Sequence, residues 1–179
     1  MPRVVAVAGL PGSGKTTVAK IFERHGYAYY CLGDIVRERA QELGVRPDKA
    51  AALLRLREGR RALAAALLKR VGSSERIVVD GVRSPEELEA LEEALGSVTL
   101  VYVVASRRTR YQRLAGRGRG DDPASLSQFL MRDLRELKFG LADLLARADY
   151  IVLNEGRSLE ELEAEARALA RRLDEPAKT

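Results

Sequence analysis

The residues best suited to chemistry lie near the amino end: Gly9-Leu10-Pro11-Gly12-Ser13-Gly14-Lys15-Thr16-Thr17. Their spacing, G-x-x-x-x-G-K-T, is that of a phosphate-binding loop, or P-loop. Glycines let successive backbone N–H groups turn to one side and cradle phosphate oxygens, and the helix that follows adds its positive end. In such a loop Lys15 reaches the β- and γ-phosphates of a nucleotide, and the Thr16 hydroxyl ligates Mg²⁺. A second metal ligand is expected at Asp80, which closes the apolar run Ile77-Val78-Val79. A carboxylate there stands at the carboxyl edge of a sheet, where it binds Mg²⁺ directly or through water. Its rival role is to cap a turn at Asp80-Gly81.

Other chemistries find little support. One cysteine, Cys31, and one histidine, His25, allow no internal disulfide and no Cys/His set for structural zinc. His25 lies between Glu23-Arg24 and Gly26, the place of a helix C-terminal cap rather than a catalytic base. Cys31 reads as a small buried hydrophobe. The 179 residues, 46% hydrophobic and 32% charged, suit one domain with a real core, expected over residues 1–179. No apolar run approaches the ~20 residues of a membrane span, and the amino end does not read as a signal peptide. A cytoplasmic protein without a membrane partner is therefore expected, as monomer or homodimer. Its 31 basic and 26 acidic residues give a net charge of +5, which suits a phosphate ligand and favours a nucleic-acid partner less.

The elements that must position these groups follow from the spacing of apolar residues. Short β-branched runs at 3–8, 76–80, 98–104 and 149–153, with a fifth at 27–31, read as strands buried in a parallel sheet. Tyr27, Tyr29 and Tyr30 read as strand and core contacts. Between the runs the period becomes helical, as in Leu126, Leu130, Leu134, Leu137, Leu141 and Leu144, a stripe expected to pack in the core or form a helix seam. Serines followed three residues later by glutamate start helices at Ser84 and Ser158. The alternation predicts an α/β fold, here the three-layer α/β/α P-loop NTPase arrangement with a five-stranded parallel sheet. Two stretches interrupt it: a helical excursion over 33–72, and the glycine- and arginine-rich segment 116–123. Arg107, Arg108 and Arg110 read as solvated helix faces.

These residues resemble the nucleoside monophosphate kinase-like P-loop proteins, most closely the archaeal adenylate-kinase-related group, over nearly the whole chain. Gly33-Asp34-Ile35-Val36-Arg37 is similar to the family's G-D-x-x-R at the acceptor site, implying acceptor contacts from Asp34 and Arg37. Asp80-Gly81-Val82-Arg83 resembles D-G-x-P-R without its proline and with the arginine one residue early, which implies an acceptor role for Arg83. Arg113-Leu114-Ala115-Gly116-Arg117 is similar to the R-x-x-G-R that opens the lid. There the first arginine stacks on the donor base and the second touches phosphate. Arg119-Gly120-Asp121-Asp122 resembles the motif that closes the lid, and Arg132 is a further lid-side candidate. Asn154-Glu155-Gly156 resembles the turn that lines the adenine pocket, implying a cofactor contact at Gly156. By this resemblance 33–72 is a helical acceptor-binding insert and 116–123 a short lid.

The function expected is a kinase: transfer of the ATP γ-phosphoryl group, with Mg²⁺, to a small-molecule nucleotide acceptor such as a nucleoside monophosphate. Lys15, Asp80, Arg117 and Arg119 are its expected catalytic residues, since guanidinium and ammonium groups stabilise the spread charge of a phosphoryl group in transfer. Phosphorylation of a hydroxyl, as by the similar dephospho-coenzyme A kinases, is the alternative, with Asp34 as general base. A nucleotide-switched, RNA-associated NTPase is the reading from another class. A guanine-specific switch protein is excluded, because the sole asparagine, Asn154, is followed by Glu155 and not by the lysine of N-K-x-D.

Overall fold

A computed structural model describes residues 2–120 and 122–175. Asp121 of the expected lid-closing motif lies outside the described residues. The elements in chain order are β1 (Arg3–Ala8), α1 (Lys15–Arg24), β2 (Ala28–Cys31), α2 (Leu32–Leu43), α3 (Pro47–Glu58), α4 (Ala62–Leu68) and β3 (Arg76–Val82). They continue with α5 (Pro85–Leu95), β4 (Val98–Val104), α6 (Arg107–Arg117), α7 (Leu126–Glu136), a π-type turn (Leu137–Leu141), α8 (Ala142–Arg147), β5 (Tyr150–Leu153) and α9 (Leu159–Asp174). Among the described residues no helix is long and apolar enough to cross a membrane.

The five strands are parallel in the order β2-β3-β1-β4-β5. β1 is therefore central and buried on both faces, which is why Val4–Ala8 can be apolar without alternation. One face carries Val5, Val7, Val78, Val101 and Val103 against α1 and α9, through Phe22, Leu162 and Ala166. The other carries Ala6, Ala8, Val79, Leu100 and Tyr102 against the helices of the excursion and α5, through Leu32, Ile35, Leu63, Leu67 and Leu91. The chain leaves β1 toward β2 on one side and leaves the neighbouring β4 toward β5 on the other, and the crevice at that switch point is where open α/β sheets bind ligands.

Helix starts follow local chemistry. Ser84, Ser106, Ser125 and Ser158 each accept a hydrogen bond from the backbone N–H three residues on. At Ser158 the capping box is complete, with Glu161 accepting from the Ser158 N–H at 2.7 Å. His25 caps α1 as expected, its Nδ1 2.9 Å from the Ile21 carbonyl.

Three features depart from the sequence expectations. β3 runs on through Val82, because Gly81 at φ 87° forms a bulge between the pairs Val7–Asp80 and Ala8–Val82. Gly116 and Arg117 belong to α6, which ends at a left-handed Gly118, so Arg117 is a helical residue rather than part of a loop. The leucine stripe is split: Leu141 and Leu144 are buried, but Leu126, Leu130, Leu134 and Leu137 are exposed. The split falls at the π-type turn, which contains Gly140 at φ 111°, where a Cβ would lie 2.6 Å from Pro85 Cδ. The turn shifts the helical phase between the two parts: α7 before it buries Phe129, Asp133 and Glu136, and α8 after it buries Leu144.

Candidate functional site

The loop after β1 is held from behind. Arg113 Nη1 donates to the Gly12 and Ser13 carbonyls at 3.3 Å, and Asn154 Nδ2 donates to Ser13 O at 2.8 Å. Arg110 Nη1 donates to Pro11 O at 3.3 Å. With carbonyls engaged on the outside, the N–H edges of these peptides are left for an anion on the inside. Gly12 and Gly14 have φ of 81° and 96°, and the packing is as restrictive as the torsions. A Cβ at Gly12 would meet Arg110 O at 2.7 Å, and one at Gly14 would meet Asn154 Nδ2 at 2.3 Å.

Thr16, in the first turn of α1, donates from its hydroxyl to Asp80 Oδ2 at 2.7 Å. Tyr29 of β2 donates to the same oxygen at 2.9 Å. Asp80 is 1% exposed, and its Oδ1 is buried without a hydrogen-bond partner in the protein. A buried carboxylate oxygen left over beside a threonine hydroxyl fits a divalent cation with oxygen ligands. Among the described residues no group of three or more His, Cys, Asp or Glu gathers to hold a metal by itself. A cation here would take its other ligands from phosphate and water, as Mg²⁺ commonly does. Burial pushes the Lys15 ammonium down to about 8; Asp80 and Glu136 partly oppose this, and Arg83 and Arg132 reinforce it.

On one side of Lys15 lies a cavity of about 250 Å³, bordered by Gly12, Gly14, Thr16, Thr17, Arg113, Leu114, Arg117 and Arg119. The three arginines expected at the donor are thus together; Arg113 and Arg117 are engaged through their guanidinium groups and Arg119 through its backbone N–H. Arg113 is fastened to the loop carbonyls and to Asn154 O at 3.1 Å. Arg117 Nε donates to both Asp122 oxygens at 3.1 Å, and the Arg119 N–H donates to Asp122 Oδ2 at 2.8 Å. Burial works against the charge of Asp122, but these donors outweigh it and hold the carboxyl below its usual range. Gly156 lies in the turn after β5 at φ 62° and is not part of this lining. In the same turn Glu155 accepts from the Ser106 N–H at 2.7 Å.

On the other side a narrower cavity of about 40 Å³ is walled by α2, α3, the end of β3 and α7. Its polar lining is Arg37, Asp48, Arg83, Arg132, Arg135 and Glu136. Arg83 pairs with Glu136 at 3.2 Å, and Arg135 pairs with Asp48 at 3.0 Å. Arg37 contacts Asp34 across one helical turn of α2, at the solvent-exposed rim. Behind this wall Glu87 accepts from Arg55 and from the Arg83 N–H, both at 2.8 Å. Burial nonetheless pushes the Glu87 carboxyl above its usual range. The face of Phe139 is covered by the Arg55 guanidinium at 4.1 Å.

Of this lining Arg37, Arg83 and Arg132 are expected from the sequence, whereas Asp48, Arg135, Glu136 and Phe139 are not. Arg110, expected on a solvated face, is 4% exposed and pairs with Asp133. The missed signal is the spacing of Phe129, Asp133 and Glu136 by four and three, a second helix face hidden beneath the more conspicuous leucines. Cys31 is only half-buried at the end of β2.

Residues 5–136 match the family described as an AAA domain, AAA_18. A UPF0200 protein of Pyrobaculum aerophilum is 66% identical over 165 residues, covering 92% of this chain and 95% of that one. A UPF0200 protein of Hyperthermus butylicus is 44% identical over 177 residues, covering 95% and 94%. Among solved structures a gluconokinase from Sinorhizobium meliloti is similar, with a TM-score of 0.63, 25% identity and coverage of 96% and 93%. A shikimate kinase from Acinetobacter baumannii in complex with shikimate has a TM-score of 0.63 at 16% identity, covering 96% and 94%, a likeness of fold alone. The five-stranded parallel sheet with flanking helices is a P-loop kinase-like fold.

Proposed function

This chain belongs to the UPF0200 family and to the AAA-domain family AAA_18, and on that footing we propose that it transfers the γ-phosphoryl group of ATP to a nucleoside monophosphate or similar nucleotide. The observation that carries the reading is a second arginine-lined cavity near the phosphate loop: Lys15 lines the first cavity, and Arg83, Arg132 and Glu136 of the second are close enough to act on its charge. Hydrolysis needs one anion site beside the loop, whereas transfer to a phosphate acceptor needs two, facing each other across the group in transfer. Four arginines and two carboxylates line the second cavity, which matches a dianion such as a phosphate monoester. A phosphate oxygen is already anionic near neutral pH, so it attacks without a general base.

In this reading Thr16 and Asp80 hold Mg²⁺, which would supply charge neutralisation on the β- and γ-phosphates. Lys15 and the loop N–H groups bind the donor. The Arg117 guanidinium leaves Asp122, and it and the Arg119 side chain turn to the transferring group, while Arg37, Arg83 and Arg135 hold the acceptor. Residues 33–72 then serve as the acceptor-binding insert and 116–123 as a short lid, within a single unit over 1–179. The relation to adenylate kinases rests on the motifs Gly33–Arg37 and Arg113–Arg117.

A second reading, phosphorylation of a hydroxyl, is favoured by one observation: Glu136 and Asp34 bring carboxylates to the wall and the rim of the acceptor cavity. The hydroxyl proton would pass to a carboxylate as the oxygen attacks the γ-phosphorus, with ADP leaving. The test is γ-labelled ATP with Mg²⁺ and a panel of AMP, CMP, UMP, GMP, dephospho-coenzyme A, gluconate and no acceptor. Label on a nucleotide phosphate, lost in Lys15→Ala and largely kept in Asp34→Asn, supports the first reading. Label on a hydroxyl supports the second, and label only in free phosphate overturns both.

A further inference from the structure

Asp80 is fixed from two directions, and only one of them belongs to the phosphate loop. Successive side chains on a strand alternate faces, so Val78 and Asp80 share the face of β3 that looks toward α1. Tyr29 is paired with Val78 in the β2–β3 register, and its ring packs on the same side of the sheet. The phenol is long enough to reach two pairs further along, to the next residue on the same face, and donate to Asp80 Oδ2 at 2.9 Å. Thr16 and Lys20 lie one helical turn apart on α1. The first donates to Asp80 Oδ2, and the second sets its ammonium 3.6 Å from the centre of the Tyr29 ring. One helix face thus secures both the carboxylate and the phenol that holds it.

We propose that Tyr29 is a positioning residue for the metal site: its hydroxyl pins Oδ2 of Asp80 and so leaves Oδ1 available to the Mg²⁺ of bound Mg·ATP. The inference rests on the kinase reading above. Oδ1 is the only oxygen of this carboxylate without a protein partner, in a residue 1% exposed to water. A carboxylate held by one donor can turn about its last torsion and offer either oxygen. Two donors converging on Oδ2 remove that freedom, as outer ligands do at many metal sites.

The test uses Mn²⁺, visible by electron paramagnetic resonance, with a non-hydrolysable ATP analogue. Tyr29→Phe keeps the ring and its contact with Lys20. The expected result is Mn²⁺ affinity about ten-fold weaker in the ternary complex, with metal-free binding of the analogue unchanged. In an Asp80→Asn background the same substitution should change nothing further, because Tyr29 acts only through Asp80. Equal Mn²⁺ affinity in wild type and Tyr29→Phe, or an additive loss with Asp80→Asn, overturns the inference and leaves the phosphate-loop reading standing. A wild-type protein whose nucleotide complex gains nothing from Mn²⁺ overturns both. A measurement free of substitution guards against a variant that folds poorly. In protein labelled with 3-fluorotyrosine, at least one of the six ¹⁹F resonances should move when Mg²⁺ joins the analogue complex, and six unmoved resonances would sink the proposal.

Discussion

Arg110 and Asp133 meet in the interior as a two-pronged ion pair, Nη1 to Oδ1 at 2.8 Å and Nη2 to Oδ2 at 2.7 Å. The same guanidinium donates to Pro11 O and to Ala105 O, and lies 5.0 Å from the centre of the Phe129 ring. Every face of the arginine is therefore used, and the pair ties α7 through α6 to the back of the phosphate loop. A buried pair adds little against a well-packed apolar substitute, but removing one partner strands the other charge.

Asp133→Ala should accordingly cost about 3–5 kcal/mol, read as a lower urea midpoint. Replacing both residues by apolar side chains of similar size, Arg110→Met with Asp133→Leu, should cost much less than either single change. The double variant should still bind ATP more weakly than wild type, because Pro11 O has lost its donor. Isothermal titration separates the two effects.

Gly14→Ala should abolish nucleotide binding without unfolding the chain. The backbone there has φ 96°, and the new methyl carbon would sit 2.3 Å from Asn154 Nδ2, so either the loop or Asn154 must move. If Asn154 moves, Ser13 O loses its 2.8 Å donor, so both outcomes deform the cradle. Gly116→Ala, where nothing lies within 4 Å of the added carbon and α6 is helical, is the control that should bind normally.

The phosphate loop and the strands were legible in the sequence because local requirements write them. Gly12 and Gly14 answer to torsions and close neighbours within the loop region, and Val4–Ala8 to burial on both faces. What was not legible depends on tertiary placement. The α7 leucines suggest a buried seam, yet Asp133 pairs with buried Arg110 and Glu136 with half-buried Arg83, and those pairs with Phe129 fill the buried face of α7, leaving the leucines outward. Tyr29 was read as a core contact because its hydroxyl partner is 51 residues away on another strand. The acceptor cavity was half visible: Arg37 and Arg83 follow motifs, but Arg135 and Asp48 meet only once α3 and α7 have docked.

The low affinity of buried Lys15 for its proton gives two linked pH effects. Its folded-state value of about 8 lies below the ordinary 10.5, so the cost of burying the charge is fully present below pH 8. Between 8 and 10.5 the unfolded chain keeps the proton that the folded chain has lost, and this group's contribution to stability rises with pH. Lys15→Met should therefore melt above the wild type at pH 7, with the gap closing toward pH 10. Phosphate binds the charged form, so wild-type ATP affinity should fall as pH rises through 8, while the residual affinity of Lys15→Met should lack that inflection. A wild type with flat ATP affinity from pH 7 to 9, no tighter than that of Lys15→Met, would mean that Lys15 does not touch the phosphates; flat affinity well above that of Lys15→Met would mean that Lys15 keeps its proton through this range.

The two cavities should separate in kinetics, and Arg135 and Arg117 are the residues to compare. Arg135 lines the acceptor cavity and pairs with Asp48 of α3 at 3.0 Å. A dianionic acceptor gives it a second partner and is bound in the ground state, so Arg135→Ala should raise the acceptor KM and leave kcat nearly unchanged. One charged hydrogen bond of about 1.5–3 kcal/mol corresponds to roughly a ten- to hundred-fold rise. Arg117 is held by Asp122, so on the kinase reading its phosphate contact would form only when the donor cavity closes. An interaction made chiefly in the transition state appears in kcat, so Arg117→Ala should lower kcat about 10²-fold or more with little change in either KM. Asp122→Asn loosens the same guanidinium without removing it and should lower kcat less. Equal effects of Arg135→Ala and Arg117→Ala on kcat would mean that the cavities do not serve separate ligands, and the kinase reading would give way to a single-site NTPase.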